Sequence, residues 1–152
     1  MLFRSVCPGV SAFQAAAASL CTELTAPEIS QTVVLTRTAG RTPLPEEQEL
    51  DRIARTHATL CLFLSVAKIG EVAETLAGHY GSDCPAAVVH RASWPEERII
   101  RGTLADIAAK TEAAGIDATA MIVVGRALSR DIPASKLYDP AFSHGFRKAK
   151  KP

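Results

Sequence analysis

The chain has 152 residues, which is enough for one ordinary domain. Apolar residues make up 47% of the chain, charged residues 22%, and no apolar run reaches the ~20 residues of a membrane-spanning helix. Its 17 Lys and Arg face 16 Asp and Glu, a balance that argues against a general nucleic-acid binder, and the opening "MLFRSV" is too short for the apolar part of a signal peptide.

Cysteine usage indicates a reducing compartment. The four cysteines, Cys7, Cys21, Cys61 and Cys84, show no metal-ligand spacing and are too sparse for a disulfide framework. We therefore expect all four to be small, reduced core residues, with no bound metal, and a location in the cytoplasm.

The first half of the chain alternates between helical and strand patterns. The patterns predict a helix over 11–20, a strand over 31–37, a helix over 46–57 and a strand over 59–65. Ser11 can act as the N-cap of the first helix, with Gln14 completing a capping box. The loop "TAGRTPLPEE" between the first strand and the next helix is long enough to suggest a functional role.

The second half continues the alternation and adds a hairpin. The patterns predict a helix over 66–81, strands over 84–92 and 98–104, a helix starting after Thr103, and a last strand over 118–128. Pro85 to Arg101 reads as the hairpin, and Asp106 falls in the third position of a helix capped by Thr103.

These elements predict an α/β fold with a mixed β-sheet flanked by helices. We expect the main α/β domain to span residues 29–128. Residues 1–28 fit it poorly and read as the last turn and helix of a preceding α/β domain, and residues 129–152 read as a C-terminal extension with a basic tail.

The sequence offers no paired nucleophile and base, and its clearest chemical pattern is a set of arginines. Those near predicted strand ends are Arg37, Arg41, Arg91, Arg98, Arg101 and Arg126. Guanidinium groups hold carboxylates in a planar, bidentate manner, so convergent arginines would suit a polycarboxylate. Alternatively they pair with nearby glutamates, namely Glu46, Glu47, Glu96 and Glu97. Trp94 beside them offers a flat apolar face, and His90, at the end of a buried strand, lies where ligands often bind.

Several separated blocks resemble one family. The blocks "PGVSAFQAAAASL", "QTVVLTRTAGRTP", "TLCLFLS", "CPAAVVHRASWPEERIIRGTLADIA", "MIVVGRAL" and "SKLYDPAFSHGFR" stand in the same order as in the tetrapyrrole methyltransferases of cobalamin synthesis. The chain most resembles the C-terminal part of the branch that methylates ring carbon 11 of precorrin-4 or cobalt-precorrin-4. The resemblance implies the tetrapyrrole-methylase fold, S-adenosylmethionine as cofactor, and a dimeric enzyme whose N-terminal domain is missing from this sequence.

The resemblance also implies roles for individual residues. It implies that the cofactor is contacted by Ser11, Ala12, Leu64, Ala92, Met121 and Ile122, and that the acetate and propionate arms of the substrate are met by Arg37, Arg41 and Arg91, with Trp94 beside them. No catalytic side chain is implied, since a sulfonium methyl is already activated.

Two other interpretations remain open from the sequence. The chain could act in the same class on another ring carbon, although the "TRTAGRTP" loop argues against it. It could also be a non-catalytic lobe that dimerises or binds a tetrapyrrole. In either case we expect no nucleic-acid or membrane partner, and we expect weak activity or none from this polypeptide alone.

Overall fold

The computed structural model describes residues 9–129, 131–132, 135, 141–143 and 145–148. Cys7, His144 and most of the predicted C-terminal extension lie outside these residues. The helices are α1 (Ala12–Leu20), α2 (Leu50–Ala54), α3 (Ile69–Tyr80) and α4 (Ile107–Ala113), and the strands are β1 (Val33–Arg37), β2 (Thr59–Phe63), β3 (Pro85–His90), β4 (Arg98–Thr103) and β5 (Ala120–Val124).

Helix α1 begins and ends as its sequence predicts. Ser11 is extended, and the side-chain oxygen of Gln14 accepts the Ser11 N–H at 3.3 Å, which satisfies an N–H at the start of the helix. Cys21 adopts a left-handed backbone (φ 50°), and the following N–H of Thr22 donates to the Ala17 carbonyl. The predicted helix over 11–20 is therefore confirmed. At this helix end Cys21 is exposed, so the expectation of a core position is wrong for this cysteine, whereas Cys61 and Cys84 are buried.

The five strands form one mixed sheet in the order β1-β2-β5-β3-β4. Strand β1 runs parallel to β2, whereas β5 lies antiparallel between β2 and β3, and β4 completes the predicted hairpin with β3. Strands β1, β2 and β3 therefore point the same way, and their carboxyl ends lie at one edge of the sheet. The predicted α/β class with a mixed sheet is confirmed.

The pleat divides the apolar side chains between two faces. On one face, strand residues such as Leu62, Val88 and Ile122 pack against α2, α3 and α4 in the larger core cluster. On the other face, the alternate strand residues pack against Ala16 and Leu20 of α1 in a smaller cluster. In the described part of the chain, α1 is the α-helix on this second face, and Leu35 and Ile99 on the outer strands stay 48% and 37% exposed.

Two helix boundaries differ from the prediction. The helix expected over 46–57 is broken into a 3-10 turn at Glu46–Gln48 and the short α2, because the intervening Glu49 is extended. Helix α4 begins at Ile107 and not after Thr103: the Asp106 carboxylate accepts the Thr103 N–H at 2.8 Å, which closes a tight turn ahead of the helix.

No described helix combines the length and the apolar character that crossing a bilayer requires. The division of the chain at residues 28 and 128 stays a prediction, although α1 packs on the same sheet as the main domain.

Candidate functional site

A pocket of about 520 Å³ opens at the edge where strands β2 and β3 end and β5 begins. Ligands in open α/β sheets usually bind at such an edge, outside the carboxyl ends of the strands. The pocket lies on the α1 face of the sheet. Its floor is formed by Val89 and Met121, which oppose each other across β3 and β5, with Phe63 from the end of β2.

Four of the six residues expected to contact the cofactor lie in this pocket. Ala12 enters from the first turn of α1, Leu64 from just beyond β2, Ala92 from the turn after β3, and Met121 from β5. Residues far apart in sequence thus share one largely apolar cavity, because they all lie at the same sheet edge. Ser11, the N-cap of α1, directly precedes Ala12 and is exposed, but it does not line the pocket.

Ile122 lies elsewhere. Its side chain is fully buried in the larger core, among the residues facing α2, α3 and α4. The reason is the strand pleat, which turns neighbouring residues to opposite faces, so that Met121 and Ile122 cannot both enter one pocket by their side chains. Within the sheet Ile122 lies opposite Leu62 on one side and Val88 on the other.

Arg91 and Trp94 form the polar rim of the pocket. The Arg91 guanidinium carbon lies 5.6 Å from the centre of the Trp94 ring, a cation–π arrangement, and both side chains line the cavity. Trp94 is 56% exposed, so its ring presents a free face to solvent. In the part of the chain that the structure describes, no ion pair joins Arg91 to an acidic side chain.

Arg37 and Arg41 do not line this pocket. The Arg37 guanidinium donates to the carbonyls of Thr38, Thr42 and Pro43 and to the Thr42 hydroxyl, over 3.0–3.3 Å. Its role in the structure is to hold the loop after β1. Arg41 is exposed in that loop.

The remaining arginines form hydrogen bonds or ion pairs with other groups of the chain. Arg98 donates to the Ala114 carbonyl at 2.8 Å, and Arg101 donates to the Leu20 carbonyl at 2.7 Å, at the C-terminus of α1. Arg126 forms an ion pair with Asp83 at 2.8 Å, and this pairing lowers the pKa of the Asp83 carboxyl. These arginines therefore stabilise the fold, and their partners are mainly backbone carbonyls, not the glutamates that the alternative interpretation of the sequence named.

Unusual backbone geometry concentrates around the pocket. Seven non-glycine residues among those described have a positive φ, and four of them line the cavity: Leu64 (φ 52°), Arg91 (φ 50°), Ser93 (φ 72°) and Thr119 (φ 53°). Such conformations cost about 1–3 kcal/mol each and cluster at functional sites. Sequence reasoning missed Ser93 and Thr119, because neither is a glycine or an asparagine, the usual signals of a left-handed residue.

His90 faces away from the pocket. It adjoins a separate cavity with Arg98 and Gly115, its Nδ1 is buried without a hydrogen-bond partner, and burial is the main cause that lowers its pKa. His79 contacts Asp51 at 2.8 Å, remote from the pocket. Across the described residues, no cluster of His, Cys, Asp or Glu has the geometry of a metal site.

The fold and the pocket define a class of α/β domain with a cavity at the carboxyl edge of a mixed sheet, the edge where ligands of open α/β sheets usually bind. Residues 4–108 match the model of one family, described as tetrapyrrole (corrin/porphyrin) methylases. The chain belongs to this family, and the resemblance found in the sequence blocks is confirmed at that level.

Curated relatives point to one branch. The chain is 49% identical over 148 residues to the cobalt-precorrin-4 C(11)-methyltransferase of Methanocaldococcus jannaschii, covering 96% of this chain and 57% of that relative. It is 48% identical over 143 residues to the precorrin-4 C(11)-methyltransferase of Pseudomonas aeruginosa, covering 93% and 57%. The chain thus spans little more than half the length of these relatives.

Solved structures agree with the fold. The X-ray structure of a cobalt precorrin-4 methyltransferase superposes with a TM-score of 0.77 at 41% identity, over 80% of this chain and 52% of that one. The uroporphyrin-III C-methyltransferase of Thermus thermophilus in complex with S-adenosylhomocysteine superposes with a TM-score of 0.62 over 81% of this chain and 52% of that one. At 23% identity the second likeness concerns the fold alone.

Proposed function

We propose that this chain takes part in the S-adenosylmethionine-dependent methylation of ring carbon 11 of precorrin-4, or of its cobalt-bearing counterpart, in cobalamin biosynthesis. The observation that carries the proposal is the 48–49% identity, over more than nine-tenths of the chain, to two enzymes named for this step. Since the chain spans 57% of each relative, we expect it to be a weak catalyst by itself.

The pocket suits an adenosine group. Its volume of about 520 Å³ lies within the ~300–1,000 Å³ of small-molecule sites, and apolar atoms dominate its walls. Ala12 and Ala92 have side chains small enough to leave space for a planar base, while Leu64 and Met121 supply apolar contact. We therefore assign cofactor contact to these four residues, with Ser11 next to them at the start of α1.

The rim suits an anionic, flat substrate. Arg91 has no acidic partner among the described residues and can hold a carboxylate arm of the macrocycle. The exposed face of Trp94 can pack against the ring system. Arg41, carried by the loop that Arg37 organises, is the further candidate for an arm outside the pocket.

The reaction asks little of protein side chains. S-adenosylmethionine supplies a methyl group on a sulfonium, which an electron-rich ring carbon can attack directly. The residues of this chain then contribute by orienting the two molecules and by excluding water from the apolar cavity. This division of work fits a site lined by alanines, leucine and methionine.

Calorimetry with S-adenosylhomocysteine tests the cofactor site. We expect the chain to bind this product analogue with 1:1 stoichiometry. Ala92→Leu adds bulk inside the pocket and should weaken binding about tenfold or more, since overpacking costs about 1–3 kcal/mol. Ala105→Leu, an exposed alanine in the turn before α4, is the matched control and should bind as the parent does. Equal affinity of the parent and both variants for S-adenosylhomocysteine would show that the cofactor does not bind in this pocket.

A methylation assay tests the reaction. The chain and the Methanocaldococcus jannaschii relative are incubated with precorrin-4 or cobalt-precorrin-4 and labelled S-adenosylmethionine, and mass spectrometry with NMR locates the added methyl group. We expect methylation at carbon 11, much slower with this chain than with the longer relative. Methylation at another carbon would contradict the assignment, and full activity of the chain would contradict its expected weakness.

We further propose that the protein works as a cytoplasmic homodimer. Leu35 and Ile99 leave apolar surface uncovered on the α1 face, which favours association with a second copy. The free thiols of Cys21, Cys61 and Cys84 suit a reducing compartment. Light scattering coupled to gel filtration should give twice the chain mass, and a monomer at micromolar concentration would refute the dimer. Recovery of the protein from an oxidising compartment of the cell would refute the cytoplasmic location.

A further inference from the structure

The turn that carries Arg91 and Trp94 is anchored to helix α1 through one carboxylate. Oε2 of Glu97 accepts a hydrogen bond from the Ser93 N–H at 2.7 Å and another from the Ser19 hydroxyl at 2.9 Å. Ser93 lies in the pocket rim, whereas Ser19 is in the last turn of α1, 78 residues away from Glu97 in sequence. A single oxygen therefore connects two elements that border the same pocket.

The turn needs such an anchor. Arg91 and Ser93 both have left-handed backbones without being glycines, a combination that costs free energy and persists only where surrounding contacts fix it. Other backbone bonds, Arg91 N–H to the Thr119 carbonyl and Trp94 N–H to the Arg91 carbonyl, fix the start of the turn. The N–H of Ser93, at the second strained residue, is held by Glu97.

Helix electrostatics do not explain the position of Glu97. A carboxylate near the C-terminal end of α1 meets the unfavourable end of the helix dipole, and no ion pair among the described residues compensates it. Its neighbour Arg98 donates to the Ala114 carbonyl instead. The two neutral donors, Ser19 and Ser93, are thus the interactions that hold the half-buried Glu97 side chain in place.

We infer that Glu97 is a positioning residue: by bonding Ser19 and Ser93 with one oxygen, it fixes the Arg91–Trp94 rim against α1 and so sets the mouth of the pocket. It acts through Arg91 and Trp94 and does not itself line the pocket. Its effect on ligand affinity rests on the function proposed above, whereas its effect on the rim does not.

The geometry implies that the positioning of the rim depends on the length of the side chain at position 97 and not on its charge. Both bonds use the same oxygen, so Glu97→Gln retains one acceptor at the same distance from the backbone. Glu97→Asp retains the charge but is shorter by one methylene and cannot contact both partners. Glu97→Ala removes both bonds. Glu96→Gln, at the exposed neighbouring acid, is the matched control.

The single tryptophan of the chain is a built-in reporter, because Trp94 lies in the turn itself. Acrylamide quenching of its fluorescence is measured in the ligand-free protein. Since Trp94 is already 56% exposed, complete release can raise quenching at most about 1.8-fold, the ratio of 100% to 56%. We expect a clear rise toward this limit for Glu97→Ala and Glu97→Asp, and quenching near the parent for Glu97→Gln and Glu96→Gln.

Calorimetry with S-adenosylhomocysteine is the second measurement, with thermal melts to confirm that each variant is folded. We expect affinity to fall about fivefold in Glu97→Asp and Glu97→Ala, which is the scale of one ordinary hydrogen bond. In Glu97→Gln we expect a change of less than about twofold. If Glu97→Ala does not fold, the Asp and Gln pair decides.

Two results would overturn the inference. The first is quenching and affinity equal to those of the parent in both Glu97→Asp and Glu97→Ala. The second is a Glu97→Asp variant that behaves as the parent does while Glu97→Gln shows higher quenching and lower affinity, because the charge at this position would then matter and the length of the side chain would not. If the parent fails to bind S-adenosylhomocysteine while the quenching series behaves as expected, the proposed cofactor site is wrong and the positioning role of Glu97 is supported.

Discussion

Replacing Leu64 by glycine should leave the fold about as stable as before, or slightly more stable, while weakening the ligand site. Leu64 has a left-handed backbone (φ 52°) and is 88% exposed. The left-handed conformation costs a non-glycine residue about 1–2 kcal/mol, which glycine avoids. Burial of the remaining 12% of the side chain contributes at most about 0.4 kcal/mol of the ~3 kcal/mol of a fully buried leucine. The added freedom of glycine in the unfolded chain costs about 0.5–1 kcal/mol.

The net expectation for Leu64→Gly is a free energy of unfolding close to that of the parent, between about 0.4 kcal/mol lower and about 1 kcal/mol higher. Leu64→Ala keeps the backbone strain and should unfold within about 0.4 kcal/mol of the parent. Leu62→Ala, two residues earlier and fully buried, is the control for an ordinary core leucine and should lose about 2–5 kcal/mol.

Urea unfolding followed by circular dichroism measures these differences, and calorimetry with S-adenosylhomocysteine measures the cost to binding. Loss of the Leu64 wall should weaken binding about tenfold, which corresponds to about 1.4 kcal/mol of apolar contact. A loss of stability in Leu64→Gly comparable to that of Leu62→Ala would refute the reasoning, because it would mean that Leu64 is packed in the core and not strained at the pocket mouth.

Three further outcomes follow from the structure. Gly125→Ala should lower the free energy of unfolding by about 1–3 kcal/mol, because φ is +150° and the new Cβ would lie 3.1 Å from Thr59 Cα. Gly78→Ala in α3 is the comparison: its Cβ meets nothing within 4 Å, so urea unfolding should show a free energy of unfolding about 0.5–1 kcal/mol higher. Cys61 and Cys84, whose pKa burial raises to about 11, should react with a thiol reagent at pH 8 only on unfolding; peptide mapping that finds either labelled in the native protein would contradict this. The Lys110 ammonium lowers the pKa of the Asp106 carboxyl, so the ionised carboxylate stabilises the fold above the ordinary pKa of 3.8, and this contribution is lost as pH falls through the lowered pKa. The difference in free energy of unfolding between the parent and Asp106→Asn should therefore shrink from pH 7 to pH 3. A difference that stays constant with pH would refute the pairing.

The sheet could be predicted from the sequence because its strands carry a clear physical signal. After Thr59 the run "LCLF" is apolar at successive positions, and the structure buries all but Phe63 of this strand on both faces, as a central strand between β1 and β5 requires. The segment from Pro85 to Arg101 predicted a hairpin, and β3 and β4 pair in that way.

The ends of the strands could not be predicted equally well. The patterns extended β2 to Ser65 and β3 to Ala92, but β2 ends at Phe63 and β3 at His90. In both places the next residue, Leu64 or Arg91, turns into the left-handed region without a glycine. Because such turns depend on tertiary contacts, the local sequence gives no sign of them.

The arginines illustrate the same limit for the site. Arg101 lies in a predicted strand, but its partner is the carbonyl of Leu20, 81 residues earlier, and every residue type carries such a carbonyl. The pattern of charges in the sequence can suggest that an arginine pairs with a nearby glutamate. It cannot reveal that the arginine donates to a backbone carbonyl. Only the folded arrangement separates Arg91, which borders the pocket, from the arginines that hold the fold together.

The backbone strain around the pocket has a consequence for how stability is distributed. Four left-handed residues at about 1–3 kcal/mol each represent a cost comparable with the ~5–15 kcal/mol net stability of a typical domain. Their conformations can persist only if specific contacts offset that cost locally. The contacts observed are the Thr119 carbonyl on the Arg91 N–H and the Glu97 carboxylate on the Ser93 N–H. A sheet edge that served only to end strands would gain nothing from this arrangement, whereas a binding site gains a fixed, preformed mouth.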